Sequence, residues 1–344
     1  MIRRRLEAGG PATIKLPRVI DFRSDNTHGA SPEILEALMR AAAGTMTSYG
    51  GDEITARVRE RCCEIFEHDV EIFPVVTGTA GNALAIAALA PPTGSVLCHE
   101  DAHIYQDELG APEFFTGGAK LVPIPGADGK LHADDVRLLA HEITCISITQ
   151  ATEAGTVYTP DEVRAIASVG LPVHMDGARF ANALVTLGCS AADITWRAGV
   201  DVLVFGGTKN GVIPTELIVV FRKELAEEIA PRWHRSGHRV SKMRFLSAQF
   251  EAYLTDDLWL RNARRANAVA QRIGRELDVL RPVQANVVFV RFEPRVATAL
   301  NEEGFLFFDW PLFGPDAVRL VCGFDTTDED ADALIAAVKR LHLP

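Results

Sequence analysis

Short apolar runs alternate with amphipathic segments along most of the chain. Seven of these runs are rich in valine and isoleucine and are too short to form a buried helix, so they predict buried β-strands. They occupy residues 71–77, 95–100, 119–124, 145–150, 171–176, 201–206 and 216–221. Because helical segments separate them, the pattern predicts a mainly parallel sheet that helices cover on both faces.

Three helices are predicted around the first of these strands. In the first helix, Ser31 and Pro32 have the residue types of an N-cap and of the first helical position, and Gly44 marks the end. Its apolar face is predicted to consist of Leu35, Leu38 and Met39. A second helix is predicted at 53–67, and a helix of small residues at 80–90.

The pattern changes after residue 250. An arginine-rich helical stretch at 257–277 leads to apolar runs at 287–292 and 317–324, and Thr327 caps a final amphipathic helix at 328–342. These elements predict a smaller α+β domain. The predicted division is an N-terminal segment at 1–30, a large domain at 31–250 and a small C-terminal domain at 251–344.

Composition and charge narrow the class of protein. The 344 residues include 47% apolar and 24% charged residues, which is typical of an ordered globular chain. The formal net charge is −11, so the chain has no general electrostatic reason to bind nucleic acid or anionic lipid. No apolar run approaches the roughly 20 residues that span a bilayer, so no membrane partner is expected.

The N-terminus and the cysteines predict a cytoplasmic protein. Three arginines at 3–5 have no apolar stretch behind them, so residues 1–17 lack the pattern of a secretory signal. The six cysteines form no C-x-x-C pair, and the adjacent Cys62 and Cys63 offer no metal-ligand geometry, so no metal site is predicted. The cysteines are expected to be reduced, mostly buried thiols.

Three segments carry candidate chemistry, and each has a simpler interpretation when it is taken alone. Residues 77–82 lie between a strand and a helix, where backbone N–H groups bind anions, although such a turn is often only a tight turn. Asp176 ends a buried strand, where open α/β sheets place ligands, although loop N–H groups or Arg179 could simply satisfy it. Lys209 follows another strand, and its flanking glycines would allow a ligand close access.

Together the three segments indicate one cofactor. Pyridoxal 5'-phosphate forms a Schiff base with a lysine, needs an acidic partner for its ring nitrogen, and needs a cradle for its phosphate. The acidic partner keeps the ring protonated, so that the ring can accept electrons. A strand-end Asp176 followed 33 residues later by Lys209, with a Gly-Thr turn before both, has this layout.

The sequence resembles the threonine aldolases, fold-type-I pyridoxal phosphate enzymes of the β-eliminating lyase group. The resemblance covers nearly the whole chain and includes residues 21–25, 49–52, 77–82, 102–103, 174–179, 208–209 and 318–321. It is nearest to the branch that carries Gly-Gly-Thr-Lys-Asn at the lysine. The implied fold is α/β and aspartate-aminotransferase-like, with a mainly parallel seven-stranded sheet flanked by helices and a smaller α+β C-terminal domain.

The resemblance implies which residues hold the cofactor. Lys209 is expected to bind it covalently, Asp176 to contact the ring nitrogen, and His103 to stack on the ring face. The phosphate is expected to lie against Gly78, Thr79 and Thr208. All of these positions match the motifs of the family.

The resemblance also implies a carboxylate site for an amino-acid substrate, built partly from the N-terminal segment. Its residues are Ser24, Arg179 and Arg319, and Arg179 is expected to contact the cofactor as well. Arginine suits this role because its planar fork binds a carboxylate bidentately. Where many relatives have Thr-Val-Thr after Arg-Ser-Asp, this chain has Asn26, Thr27 and His28, so His28 could face the substrate.

The implied reaction is retro-aldol cleavage of L-threonine, L-allo-threonine and other β-hydroxy-α-amino acids to glycine and an aldehyde. The alternative is a pyridoxal phosphate-dependent β-eliminating lyase that acts on another amino acid and releases pyruvate and ammonia. The intact Lys209 and Asp176 argue against a silent binding protein. The base for the hydroxyl proton is left open between His103, His28 and a water molecule.

The expected assembly is a homo-oligomer, either a dimer or a dimer of dimers. The basic loop at 235–244 is interpreted either as a solvent-exposed cluster or as a phosphate contact across a dimer. Tyr49 either reaches a neighbouring subunit's site or caps a loop. His174 is expected to pack under the sheet. The tryptophans, at 196, 233, 259 and 310, are expected in the core or in interfaces.

Overall fold

The computed structural model of the chain describes residues 19–341 and is organised around one large sheet. After a two-residue strand β1 (Ile20–Asp21), the large sheet contains β2 (Glu71–Val75), β3 (Ser95–His99), β4 (Lys120–Ile124), β5 (Cys145–Thr149), β6 (Val173–Gly177), β7 (Val202–Gly206) and β8 (Glu216–Val220). Their order is β2-β8-β7-β6-β5-β3-β4. Only β8 in this sheet runs antiparallel to its neighbours, so the prediction of a mainly parallel seven-stranded sheet is confirmed.

Helices cover both faces of this sheet, as the alternating pattern predicts. The helices up to residue 235 are α1 (Pro32–Ala41), α2 (Glu53–Phe66), α3 (Gly78–Leu89), α4 (His103–Gln106), α5 (Ala111–Thr116), α6 (Ala133–Leu139), α7 (Pro160–Ala167), α8 (Phe180–Leu187) and α9 (Lys223–Arg235). Two separate clusters of buried apolar side chains contain residues from the large sheet and from these helices. The sheet is therefore apolar on both faces, and for this reason its strands are continuous apolar runs in the sequence.

The C-terminal part builds a second, smaller sheet with its own core. Its elements are α10 (Arg244–Leu254), α11 (Leu258–Glu276), β9 (Val287–Arg291), α12 (Pro294–Glu302), β10 (Phe305–Leu306), β11 (Phe308–Asp309), β12 (Ala317–Val321) and α13 (Asp328–Leu341). The strands β11, β12 and β9 form an antiparallel sheet. Strand β1 pairs in parallel with β10 as a separate two-stranded sheet, and so joins the beginning of the described chain to the C-terminal part.

The strand directions bring three distant segments to one edge of the large sheet. Strands β5, β6 and β7 are parallel, and β2 has the same direction because both β2 and β7 run antiparallel to β8. The carboxyl ends of β2, β6 and β7 therefore lie at the same edge. This is the edge where open α/β sheets bind their ligands.

The predicted apolar face of α1 is wrong. Leu35 is 48% exposed and Met39 is 76% exposed. The buried residues of this helix are Ile34, Ala37 and Ala41, and the two alanines pack in a small cluster with α2 and α10. Close packing of helices through alanine leaves the larger apolar side chains of α1 on the surface.

The cysteines and the helices can also be compared with the predictions. All six cysteines are free, and four of them are buried, in agreement with the prediction of mostly buried thiols. No helix within residues 19–341 is long and apolar enough to cross a membrane. The basic positions 3–5 and the end of the predicted last helix at residue 342 lie outside the described residues.

Candidate active site

A cavity of about 250 Å³ opens at the edge of the large sheet where β2, β6 and β7 end. It collects the residues that the sequence places in a cofactor site: Gly78, Thr79, His103, Asp176, Thr208 and Lys209. These residues come from four separate stretches of sequence, so the fold rather than the local sequence brings them together.

The N-terminus of α3 forms one end of the cavity. The Thr77 side chain caps the helix by accepting the N–H of Ala80 at 3.1 Å. The N–H groups of Gly78 and Thr79 lie in the first turn and have no acceptor within the helix. Around Gly78 no atom lies within 4 Å of the position where a Cβ would stand, so an anion has room to approach these groups.

Asp176 is almost fully buried at the end of β6. Its carboxylate accepts hydrogen bonds from the N–H of Ala178 and from Nδ2 of Asn82, both at 3.0 Å. The simpler interpretation that Arg179 pairs with Asp176 is wrong, because the Arg179 side chain bonds a different carboxylate. Asp176 therefore presents a hydrogen-bonded but unpaired carboxylate to the cavity.

Lys209 lies in a single turn of 3-10 helix directly after β7. Within residues 19–341, its amino group has no hydrogen-bond or ion-pair partner. The preceding glycines serve close packing of the protein rather than ligand access. A Cβ on Gly206 would lie 2.5 Å from the carbonyl oxygen of Ala178, and one on Gly207 would lie 2.8 Å from that of Thr215.

His103 begins α4 and borders the same cavity. Its Nδ1 lies 2.9 Å from Oε1 of Glu108, whose side chain is fully buried. The hydrogen bond to Glu108 raises the pKa of His103, although burial acts in the opposite direction. Oε1 of Glu108 also accepts a hydrogen bond from Nδ2 of Asn82 at 2.8 Å.

Arg179 is held in place by Asp25. The Nε and Nη2 atoms of Arg179 donate to the two oxygens of Asp25 at 2.7 and 3.0 Å, and Asn286 donates to the same carboxylate. Burial alone would raise the pKa of Asp25, but the charges of Arg179 and Lys209 hold it below its usual range. A bidentate pair of this kind fixes the guanidinium plane and leaves Nη1 outside the pair with Asp25.

Arg319 approaches Arg179 from the smaller sheet. Its guanidinium lies 4.2 Å from the centre of the Trp310 ring, and its Nε is buried without a hydrogen-bond partner among residues 19–341. One oxygen of Glu153 lies 3.8 Å from Nη1 of Arg179 and 3.9 Å from Nη1 of Arg319. Burial and the nearby charge of Arg179 lower the pKa of Arg319. The two arginines predicted to share a substrate carboxylate thus face one carboxylate of the protein.

The remaining N-terminal candidates have local partners. The Ser24 hydroxyl accepts the N–H of Asn26 at 3.1 Å, and Asn26 borders the cavity. His28 is not a cavity residue, because its ring packs against Gly323 and its Nδ1 bonds Asp325. The hydrogen bond to Asp325 raises the pKa of His28, although burial lowers it. His103 is therefore the better placed of the two candidate bases.

Three residues that were not predicted to line the cavity lie away from it. His174 is fully buried beside Ser147, as predicted, and burial lowers its pKa to about 4. Tyr49 is 48% exposed. Its N–H donates to the carbonyl oxygen of Ser241, and its own carbonyl oxygen accepts a hydrogen bond from Nε of Arg239, so it contacts the basic loop. Trp310 packs against a small buried apolar cluster, as predicted, and its ring also supports Arg319.

The prediction from sequence missed several residues of the site. They are Asp25, Asn82, Glu108, Glu153 and Glu216. Asp25 and Asn82 lie in quoted motifs, and Glu108 follows His103 by five positions, so these three had a signal. Glu216, at the start of β8, had none. Its buried carboxylate accepts the N–H of Gly207 at 2.6 Å, and burial raises its pKa to about 7.

The groups in the cavity fit pyridoxal 5'-phosphate. An unpartnered lysine amine suits the aldehyde of the cofactor, and the open N-terminus of α3 suits its phosphate. The buried carboxylate of Asp176 suits a protonated ring nitrogen. His103 borders the same space and offers a flat ring.

Comparisons with known proteins agree with this geometry. Residues 21–294 match the family described as beta-eliminating lyase. The low specificity L-threonine aldolase of a Pseudomonas species is 40% identical over 93% of this chain and 97% of its own length. A solved structure of Leishmania major threonine aldolase, 25% identical, matches with a TM-score of 0.87 over 93% of this chain and 99% of that chain.

A more distant structure establishes the fold class. An aspartate aminotransferase from Rhodobacter sphaeroides, 19% identical, matches with a TM-score of 0.69 over 94% of this chain and 92% of that chain. At this identity the likeness concerns the fold alone, and it confirms the aspartate-aminotransferase-like architecture. By its sequence and its fold, the chain belongs to the pyridoxal phosphate-dependent beta-eliminating lyase family.

Proposed function

We propose that the protein is an L-threonine aldolase that cleaves L-threonine, L-allo-threonine and related β-hydroxy-α-amino acids to glycine and an aldehyde. One observation carries the proposal: an unpartnered Lys209, the Asp176 carboxylate and the open N-terminus of α3 share one cavity. The similarity to low specificity L-threonine aldolases over most of the chain supports the choice of reaction.

Lys209 would hold the cofactor covalently, and Asp176 would bind its ring nitrogen. Gly78, Thr79 and Thr208 would bind the phosphate. Once bound, pyridoxal phosphate supplies an electron sink that accepts the electron pair of a broken bond at Cα. The His103 ring would cover one face of the cofactor.

Arg179 and Arg319 would bind the substrate carboxylate, with Ser24 as a third donor. Asp25 holds Arg179 in one plane, and Trp310 supports Arg319, so both donors are oriented before substrate arrives. Fixing the carboxylate sets the orientation of the bonds at Cα, and this decides which bond breaks. A D-amino acid would carry its carboxylate away from these arginines.

His103 would accept the proton of the β-hydroxyl group. It borders the cavity, whereas His28 bonds Asp325 outside it. Nothing in the cavity marks a tight pocket for the β-substituent, and packing against one methyl group is worth only about 1–3 kcal/mol. We therefore expect loose selection at Cβ and strict selection at Cα.

The proposed setting is threonine catabolism in the cytoplasm, with the chain assembled as a homo-oligomer, either a dimer or a dimer of dimers. The exposed apolar residues of α1 and the exposed Tyr49 support an interface between copies. The basic loop at 235–244 lies beside Tyr49 and would belong to the same surface.

The experiment is incubation of the purified protein and pyridoxal phosphate with L-threonine, followed by identification of the products. Glycine and acetaldehyde in equal amounts are expected, with similar activity on L-allo-threonine and none on D-threonine. Lys209→Ala should lose turnover and the covalently bound cofactor that borohydride traps, whereas exposed Lys120→Ala should keep both. A 2-oxo acid and ammonia as the products, or an active Lys209→Ala variant, would contradict the proposal.

A further inference from the structure

Glu108 lies behind the cavity and connects two of its functional residues. Its side chain has no exposure to solvent. Oε1 lies 2.9 Å from Nδ1 of His103 and 2.8 Å from Nδ2 of Asn82, and the same Nδ2 lies 3.0 Å from Oδ2 of Asp176. The buried Glu108 carboxylate thus connects His103 to Asp176 through the side chain of Asn82.

Hydrogen-bond chemistry fixes the direction of these contacts. The Asn82 atom between two carboxylate oxygens must be its amide nitrogen, since an oxygen there would face two acceptors. An ionised Glu108 can only accept, so Nδ1 of His103 must carry a proton. When the His103 ring is neutral, its other nitrogen, Nε2, is then the one with a free lone pair.

We propose that Glu108 is a positioning residue that holds His103 in the tautomer protonated on Nδ1, so that Nε2 is free to accept the proton of the substrate hydroxyl. The inference rests on the proposed function, because it assigns the way in which His103 becomes a base. A histidine oriented by a carboxylate is the same arrangement that activates other enzymatic bases.

The proton transfer balances without another reactant. The hydroxyl proton moves to Nε2 of His103, and the O–H electron pair becomes part of the aldehyde carbonyl. The electron pair of the Cα–Cβ bond stays with the glycine fragment, which later takes up one proton. Glu108 accepts the Nδ1–H bond throughout and stabilises the doubly protonated ring after the transfer.

Three charged groups act on His103 from the elements around it. Glu108 raises its pKa through the hydrogen bond, Asp176 on β6 raises it through charge, and Lys209 after β7 lowers it. Replacing Glu108 by glutamine removes the main upward influence and keeps an acceptor of the same shape. The pKa of His103 is then expected to fall, and the acid limb of the rate profile should move to lower pH.

The first test uses the cofactor-free protein and needs no turnover. Nitrogen and proton NMR of the histidine side chains would be recorded between pH 5 and pH 9, with His103 assigned through His103→Phe. In the unsubstituted protein the neutral His103 ring should be protonated on Nδ1. In Glu108→Gln its pKa should fall, whereas in Glu100→Gln, a change at an exposed glutamate of the same segment, it should stay the same.

The second test is a double-mutant cycle on cleavage of L-threonine by the holoenzyme. Glu108→Gln should lower kcat/KM by about 10- to 100-fold and move the acid limb to lower pH, while Glu100→Gln should change neither. In a His103→Phe background, Glu108→Gln should add little further loss, because its effect passes through His103.

Three results would overturn the inference. They are a neutral His103 protonated on Nε2, an unchanged His103 pKa in Glu108→Gln, or losses that add fully in the double variant. The first of these needs no variant at Glu108, so it stands even where that change impairs folding. A protein with the expected NMR behaviour but no aldolase activity would refute the proposed reaction and leave the role of Glu108 intact.

Discussion

Glu216 illustrates how the fold places a carboxyl group where its charge is costly. The side chain starts β8, lies beside Thr208 and Lys209 in the cavity wall, and is buried. Burial raises its pKa from 4.5 to about 7, although the N–H of Gly207 and the charge of Lys209 favour the ionised form. The folded protein therefore holds a proton on Glu216 at a pH where the unfolded chain has lost it.

The consequence for stability has a definite sign. Well below pH 4.5 Glu216 is protonated in both the folded and the unfolded protein, so it does not lower the free energy of unfolding. As pH rises towards 7, the unfolded chain loses the proton and the folded protein keeps it, so the free energy of unfolding falls. Glu216→Gln removes this penalty, which is on the order of 3 kcal/mol at pH 8. Urea unfolding of the cofactor-free protein should show that Glu216→Gln stabilises the protein much more at pH 8 than at pH 5.

Exposed Glu227→Gln serves as the control for this prediction, since it should leave the difference between the two pH values unchanged. Equal stabilisation by Glu216→Gln at both pH values would mean that the carboxyl group is ionised in the folded protein throughout. The stabilisation would then come from a change in packing.

Single residues also show how far the sequence predicts the site. Lys209, Asp176 and Gly78 lie at the ends of strands or at the start of a helix, so their neighbours in sequence indicated their place. The pairing of Arg179 with Asp25 and of Asp176 with Asn82 could not be predicted in this way, although all four residues lie in recognised motifs. Asp25 is 154 positions from Arg179, and Asn82 is 94 positions from Asp176. Contacts between residues so far apart in sequence depend on the order of the strands in the sheet, and the local sequence pattern does not predict that order.

Among the elements, α3 packs closely on the sheet through a glycine. Gly81 lies on its buried side, and a Cβ there would come within 2.7 Å of Cγ1 of Val204 on β7. The glycine therefore sets the distance between the sheet and the helix whose N-terminus faces the cavity. Valine has a stiff side chain in a strand, so this contact cannot relax easily.

Gly81→Ala should force α3 away from β7 and lower the free energy of unfolding by about 1–3 kcal/mol. It should also weaken binding of pyridoxal phosphate, since Gly78 and Thr79 move with the helix. Urea unfolding and a cofactor titration would measure the two effects. For stability, the matched change is Gly78→Ala in the same helix, where a Cβ meets nothing within 4 Å. An unchanged unfolding midpoint in Gly81→Ala would show that the contact relaxes at no cost.

The elements themselves were largely predictable. Six strands of the large sheet lie inside the predicted runs, and β6 extends one residue beyond its run, because buried parallel strands are apolar throughout. The buried face of α1 was not predictable by the same argument. Its large apolar residues, Leu35 and Met39, look like a core face in the sequence but are exposed in the single chain.

At the scale of the whole molecule, these exposed residues have a testable consequence. Burying a methionine or leucine side chain against a second copy contributes about 1.5–3 kcal/mol. If α1 lies in such an interface, Met39→Lys should shift the protein to a smaller assembly in light scattering and lower its activity. Leu138→Lys, at a residue of α6 that is 73% exposed, should change neither. A monodisperse, fully active monomer of the unsubstituted protein would refute the proposed homo-oligomer.

The charges around Glu153 have a consequence for the proposed binding of a substrate carboxylate. Asp25, Arg179, Glu153 and Arg319 sum to zero formal charge. Arg179 follows β6 of the large sheet, whereas Arg319 lies on β12 of the smaller sheet. This group should therefore attract anions weakly from a distance, and if the two arginines bind the substrate carboxylate as proposed, that carboxylate would have to replace Glu153. The substrate carboxylate would form hydrogen bonds of about 2.8 Å, whereas Glu153 makes contacts of 3.8 and 3.9 Å. The net free energy of binding is the difference between the two. Selectivity then depends on fit at short range, and simple salts such as acetate would be poor competitors.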